Sequence, residues 1–152
     1  ISADNRLYFS NKTTLNYSGE YHYGLTSDAT TKDGDLVNLY SDNIWYPTDQ
    51  TSISSSLLLG ICTNDAGVPN KTGILTEGTV TVTTSSGYPG IPFISGSTFY
   101  GQPVYMTGSA GYTTDKPTSG YVRVIGHMYY NNPTNTDFWI MKFRPSNDWY
   151  QI

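Results

Sequence analysis

Catalysis near neutral pH needs acids, bases or nucleophiles that can converge, and this chain offers few. It holds two His, two Glu and one Cys in 152 residues. His22 lies in Glu20-Tyr21-His22-Tyr23 and His127 in Gly126-His127-Met128. Neither has a second His at i+2 or i+4, the spacing that lets one strand or helix face hold a metal. Both read as surface or half-buried strand histidines. Cys62 follows the apolar run Leu57-Leu58-Leu59-Gly60-Ile61, so it reads as a core residue and not a nucleophile. No G-x-S-x-G elbow and no Gly-rich phosphate loop occurs. Asp28, Asp33 and Asp35 cluster in one loop. That loop lacks the alternating acids and closing Glu of an EF-hand, and Lys32 lies inside it, so a solvated hairpin turn is expected and not a calcium site. The ten Asp neither support nor exclude a glycosidase pair. The expected catalytic, cofactor-binding and metal residues are therefore none. Three N-x-[ST] matches, at Asn11, Asn16 and Asn70, matter only if the chain passes through a eukaryotic secretory pathway.

The surrounding composition points to strands. Charged residues make up 13%, about half the usual share, and 21 Thr, 16 Ser and 11 Asn fill the gap. Helix formers are scarce, with four Ala and five Lys. Thr, Val, Ile, Tyr and Phe suit a pleated, half-buried surface. Thr79–Thr83 and Tyr121–Ile125 alternate with period 2, Asp35–Tyr40 is a third strand, and Phe138–Phe143 is apolar on both faces at its start, as a central strand requires. Weaker candidates are 6–9, 20–25, 44–46, 56–62, 74–77, 103–107 and 149–152. About ten short strands predict an all-β antiparallel sandwich or barrel, with under about 5% helix. Asp33-Gly34 predicts a tight hairpin, and Asn131–Asn135 a loop joining 120–130 to 136–144 as an antiparallel pair. The expected core is Leu58, Ile61, Val80, Val82, Val104, Val122, Val124, Phe138, Ile140 and Trp149, with Trp149 covering its open end.

One domain spans 1–152, with 1–52, richer in Asp, Asn and Tyr, as an alternative N-terminal β subdomain or arm. Ile1-Ser2-Ala3-Asp4 reads as part of a longer polypeptide. Net charge is −4 with no basic run, which argues against phosphate-held nucleic acid as a partner. No apolar run approaches the roughly 18 residues of a membrane helix. Fourteen Tyr are more than one core of this size can absorb. Tyr and Trp are favoured where one end is buried and the other wet, as at a protein interface or a sugar platform. Lys and Glu, the usual solvating residues, total seven. A homo-oligomer is the simplest cover for such a surface.

The ordered set Leu57-Leu58-Leu59-Gly60-Ile61, Gly78-Thr79-Val80-Thr81, Gly101-Gln102-Pro103-Val104-Tyr105, Val122-Arg123-Val124-Ile125-Gly126 and Pro145-Ser146-Asn147-Asp148-Trp149 resembles the β-rich C-terminal domain of tailed-phage virion structural and fibre-like proteins. The resemblance covers roughly 45–152. The chain departs from it in the long 63–72 loop, at His127 and in the Asn-rich 131–136; residues 1–44 match nothing in it. It implies a non-enzymatic bacteriophage virion protein on the particle surface, either a capsid decoration or head fibre or a tail fibre segment serving host attachment. It further implies a homotrimer in contact with other virion proteins, and it carries no catalytic residue. Host surface glycans stay open as a further partner. The alternatives are an adhesin-like or carbohydrate-binding domain of a cell-surface or extracellular filament protein and, third, a glycan depolymerase.

Overall fold

The computed structural model describes residues 17–63 and 73–152. The expected strand at 6–9, Tyr8, the asparagines of the three glycosylation motifs and nearly all of the 63–72 loop lie outside them.

The protein is all-β, with about half of its described residues in strands and a strongly curled nine-strand sheet forming a half-barrel. The strands are β1 (Tyr17–His22), β2 (Leu36–Leu39), β3 (Trp45–Pro47), β4 (Leu59–Thr63), β5 (Gly73–Thr83), β6 (Ile94–Ser95), β7 (Pro103–Thr107), β8 (Gly111–Thr113), β9 (Tyr121–Asn131), β10 (Phe138–Phe143) and β11 (Trp149–Gln151). A 3-10 turn at Ile53–Ser56 precedes β4, with the Ser52 hydroxyl accepting from the Ser54 amide. The sheet runs β3-β2-β4-β5-β10-β9-β7-β8-β6, with β1 on β5 and β11 on β9. Every ladder is antiparallel except β6–β8.

β5 organises the curl. Its eleven residues absorb the expected strands 74–77 and 79–83 into one. Ile74 and Leu75 pair with both β1 and β4, and Gly78, Thr79 and Val80 with both β1 and β10. A strand has two edges, so β1 takes one while β4 and β10 share the other. A bulge between Glu20 and Tyr21 accompanies this. Gly19 and Gly78 face each other there, at φ 145° and 154°. A Cβ on Gly78 would stand 2.1 Å from the Ser18 carbonyl oxygen, so only glycine fits. At the far end Thr83 pairs with Phe138 on one edge and bridges in parallel to Phe93 on the other. This bridge carries the Thr83 N–H to Pro92 carbonyl bond of 2.9 Å. It joins the end of the strand row back to β5.

Alternation divides the apolar residues into two layers. Leu36, Ile61, Leu75, Val80, Val82, Val104, Met106, Ile125, Met128, Trp139, Met141 and Phe143 fill the concave side. Val37, Trp45, Cys62 and Ile74 form a second cluster on the other face of β2–β4–β5. Cys62 is thus buried, as its apolar run predicts.

Five expected core residues are placed differently. Leu58 is 49% exposed and Trp149 42% exposed. Leu58 precedes β4, so the run Leu57-Leu58-Leu59 enters the sheet only at its last member. Trp149 packs against the Tyr121 ring at 5.6 Å and does not close the core. Phe138 and Ile140 are half-buried because β10 turns Trp139, Met141 and Phe143 inward. A one-residue change of parity swaps the faces. Val124 is half-buried because the inward set of β9 is Tyr121, Arg123 and Ile125. The remaining five are buried. The β9–β10 pair forms as expected, and β10 is central. The Asp33-Gly34 turn also forms, with the Asp35 N–H donating to the Lys32 carbonyl. It joins no hairpin, because β2 pairs with β3 and β4 instead.

Candidate interaction surface

The residues first suspected of chemistry are kept apart. His22 and His127 are exposed, as expected, with the His22 ring 4.0 Å from the Glu20 carboxylate. Among the described residues no three His, Cys, Asp or Glu side chains converge. The three loop acids accept hydrogen bonds that hold the fold. Asp28 accepts from the Thr30 amide and hydroxyl, which hold its carboxyl below the usual range. Asp35 accepts the Lys32 N–H at 2.9 Å, and half-burial pushes its carboxyl up. Asp33 accepts the Tyr17 hydroxyl at 2.9 Å. Tyr112, wholly buried, donates its hydroxyl to the Gly34 carbonyl at 2.6 Å. Two tyrosines therefore tie the 32–35 turn to the barrel interior, and burial raises both phenols far above their ordinary value.

Arg123 is the one arginine buried among the described residues, and sequence reading gave it no role. It donates from Nε to the Ser146 carbonyl at 2.7 Å, and from Nη1 to the carbonyls of Ser55 at 3.0 Å and Leu57 at 2.7 Å. It ties the 3-10 turn and the β10–β11 connection to β9. Burial pulls its guanidinium below the usual value.

What remains is an aromatic surface. On the convex side of β9, Tyr105 stands opposite Val124 and Tyr150 opposite Val122. Directly opposed residues share a face, so these four side chains form one patch. Lys116 Nζ lies 5.7 Å over the Tyr150 ring. Further along β9 the register slips between Ile140 and Met141, which leaves Tyr129 as the extra residue. Tyr129 and Tyr130 are both exposed. Phe99 and Tyr100 are exposed beside this end, and Tyr100 leans on Trp139 at 5.3 Å. A second group, Tyr21 against Tyr23 and Tyr40 against Tyr46, lies near β1–β3. Exposed ion pairs are sparse: Arg144 and Glu77 meet at 3.9 Å. Part of the surplus of tyrosine is thus displayed at the surface, as expected. Phe93 and Phe99 went unmarked in the sequence, although Phe99 sits among Ser, Thr and Gly, which are loop residues.

A scan against family models finds no match, and a search of curated proteins finds none either. Among solved structures, a chain from the capsid of Myoviridae phage XM1 has the same fold. The likeness has a TM-score of 0.51 at 10% sequence identity and covers 87% of this chain and 86% of that one.

Proposed function

We propose that this chain is a non-enzymatic structural component of a tailed-phage virion, exposed on the particle surface as a capsid decoration, head fibre or tail fibre segment. The observation that carries the reading is the fold shared with a phage capsid chain over most of both chains. The aromatic, charge-poor surface supports it, because subunits held by neighbours replace Lys and Glu by Tyr and Trp at their contacts. In this reading 1–152 is one all-β domain, since β1 is laddered to β5 and β2, which carries β3, is laddered to β4. Its contacts are with other virion proteins and with copies of itself, a trimer being the state that the fibre-like resemblance implies. The test is immunogold labelling of purified particles with antibody raised against the 152-residue chain. Gold on intact particles is expected; gold absent from intact and disrupted particles overturns the reading.

Tyr100, Tyr129 and Tyr130, exposed together, also favour a carbohydrate platform as the second reading. A glycan array with millimolar or tighter binding, lost in Tyr129→Ala, is its test.

A further inference from the structure

We propose that β11 is a self-pairing edge, through which a second copy of this chain adds its own β11 antiparallel about a two-fold axis at Tyr150. The proposal rests on the self-association reading above. Being two-fold, it links such units to one another and does not supply a three-fold contact.

β11 pairs with β9 alone among the described residues. The bond parity shows which groups are left over. Ile152 donates its N–H to the Gly120 carbonyl, and Tyr121 turns its own N–H away to the Gln50 carbonyl. In an antiparallel ladder bonded pairs alternate. Gly120/Ile152 and Val122/Tyr150 are therefore the bonded pairs, and the backbone groups of Trp149 and Gln151 point away from β9. A row of unpaired N–H and C=O groups is a template for another strand. Natural edges are guarded by Lys, Pro or a bulge; Trp149-Tyr150-Gln151-Ile152 has none of these, and all four residues are exposed.

The leftover groups are self-complementary. With Tyr150 opposite its symmetry mate, Trp149 of each copy faces Gln151 of the other, so donors meet acceptors at both positions. The charges also match. Asp148 and Tyr150 share a face of the strand, and Lys116 lies over that same ring. The register puts Asp148 of the second copy diagonal to Tyr150, within reach of Lys116. The face so formed continues the Tyr105–Tyr150 patch across the axis.

Three variants of the full chain test this. Tyr150 and its mate would form a non-bonded pair with Cα atoms about 4.5 Å apart, inside the range a disulfide spans. Tyr150→Cys is expected to give a covalent dimer under mild oxidation. Trp149→Cys, which also carries buried Cys62, is expected to give none. Gln151→Pro removes an outward N–H and no bond to β9, so it should weaken association at least tenfold by light scattering with an unchanged melting temperature. Equal crosslinking of both cysteine variants, or of neither, overturns the proposal, as does parental association by Gln151→Pro. If the parent still self-associates in that case, the broader reading survives. A parent monomeric at tens of micromolar overturns both.

Discussion

The convex face of the sheet is finished in two ways. Over β2–β4–β5 it is dry: Val37, Trp45, Cys62 and Ile74 interlock, and a Cβ on Gly60 would stand 2.2 Å from Ile74 Cγ2. Over β7–β9–β11 it is roofed by Tyr105 and Tyr150 with Lys116 above, and their rings bury Val122 while Val124 stays half-wet. Both covers remove valine from water. Only the second leaves aromatic area and hydroxyls to meet another surface, because a phenol can lie with its ring on valine and its oxygen in solvent. The dry face is scaffold, and the tyrosine-roofed face is the one that the proposed function assigns to contacts.

Substitutions can break that distinction. Trp45→Ala, on the dry face, should cost about 3–5 kcal/mol of unfolding free energy in urea. Tyr150→Ala should cost about 1 kcal/mol or less while weakening association. Similar losses would erase the contrast. Arg123→Met keeps the volume under the roofed region but orphans three carbonyls. A loss of about 2–4 kcal/mol in the same titration is expected, and a neutral result would mean water satisfies them. Val122→Asp places an unpaired charge under the roof and should cost about 3 kcal/mol or more, against about 1 for half-buried Val124→Asp. Equal costs would show that the roof does not exclude water. The smallest effect concerns the 32–35 turn. Burial raises the Asp35 carboxyl above its unfolded value, so the folded state binds that proton more tightly. The ionised form is a cost at neutral pH, relieved as pH falls through the folded pKa. Asp35→Asn should therefore stabilise more at pH 7 than at pH 4, read from urea midpoints. The opposite order would place Asp35 in a stabilising network.

The residue patterns made most of the fold legible: β5 and β9 were marked by alternation, β10 by its apolar run, and the β9–β10 turn by its Asn-Pro loop. Parity was legible only in part. In β10 every residue from Phe138 to Met141 is apolar, so nothing in the residue types shows which set faces inward. β6 and β8 were missed as strands because two or three residues give no period. They exist through ladders that tertiary closure supplies. Arg123 was invisible as a clamp because its partners are backbone carbonyls of Ser55, Leu57 and Ser146, and a carbonyl has no sequence signature. The tyrosine surplus was legible as a count; its sorting into turn anchors (Tyr17, Tyr112) and surface roof (Tyr105, Tyr150) depends on register.

The branching of β5 has a consequence in time. Two of its three partners lie far away along the chain: β1 before it, β10 after it with four other strands between. Neither half of the barrel can acquire its shared wall until β5 is in place, and each of these pairings closes a long loop before any bond repays the entropy. Such topologies assemble over milliseconds to seconds. The same wall makes dismantling cooperative, since losing β5 detaches β1, β4 and β10 together. In the proposed virion role that cooperativity would count, because the chain's durability is then set by the height of one barrier and not by the sum of many small local fluctuations.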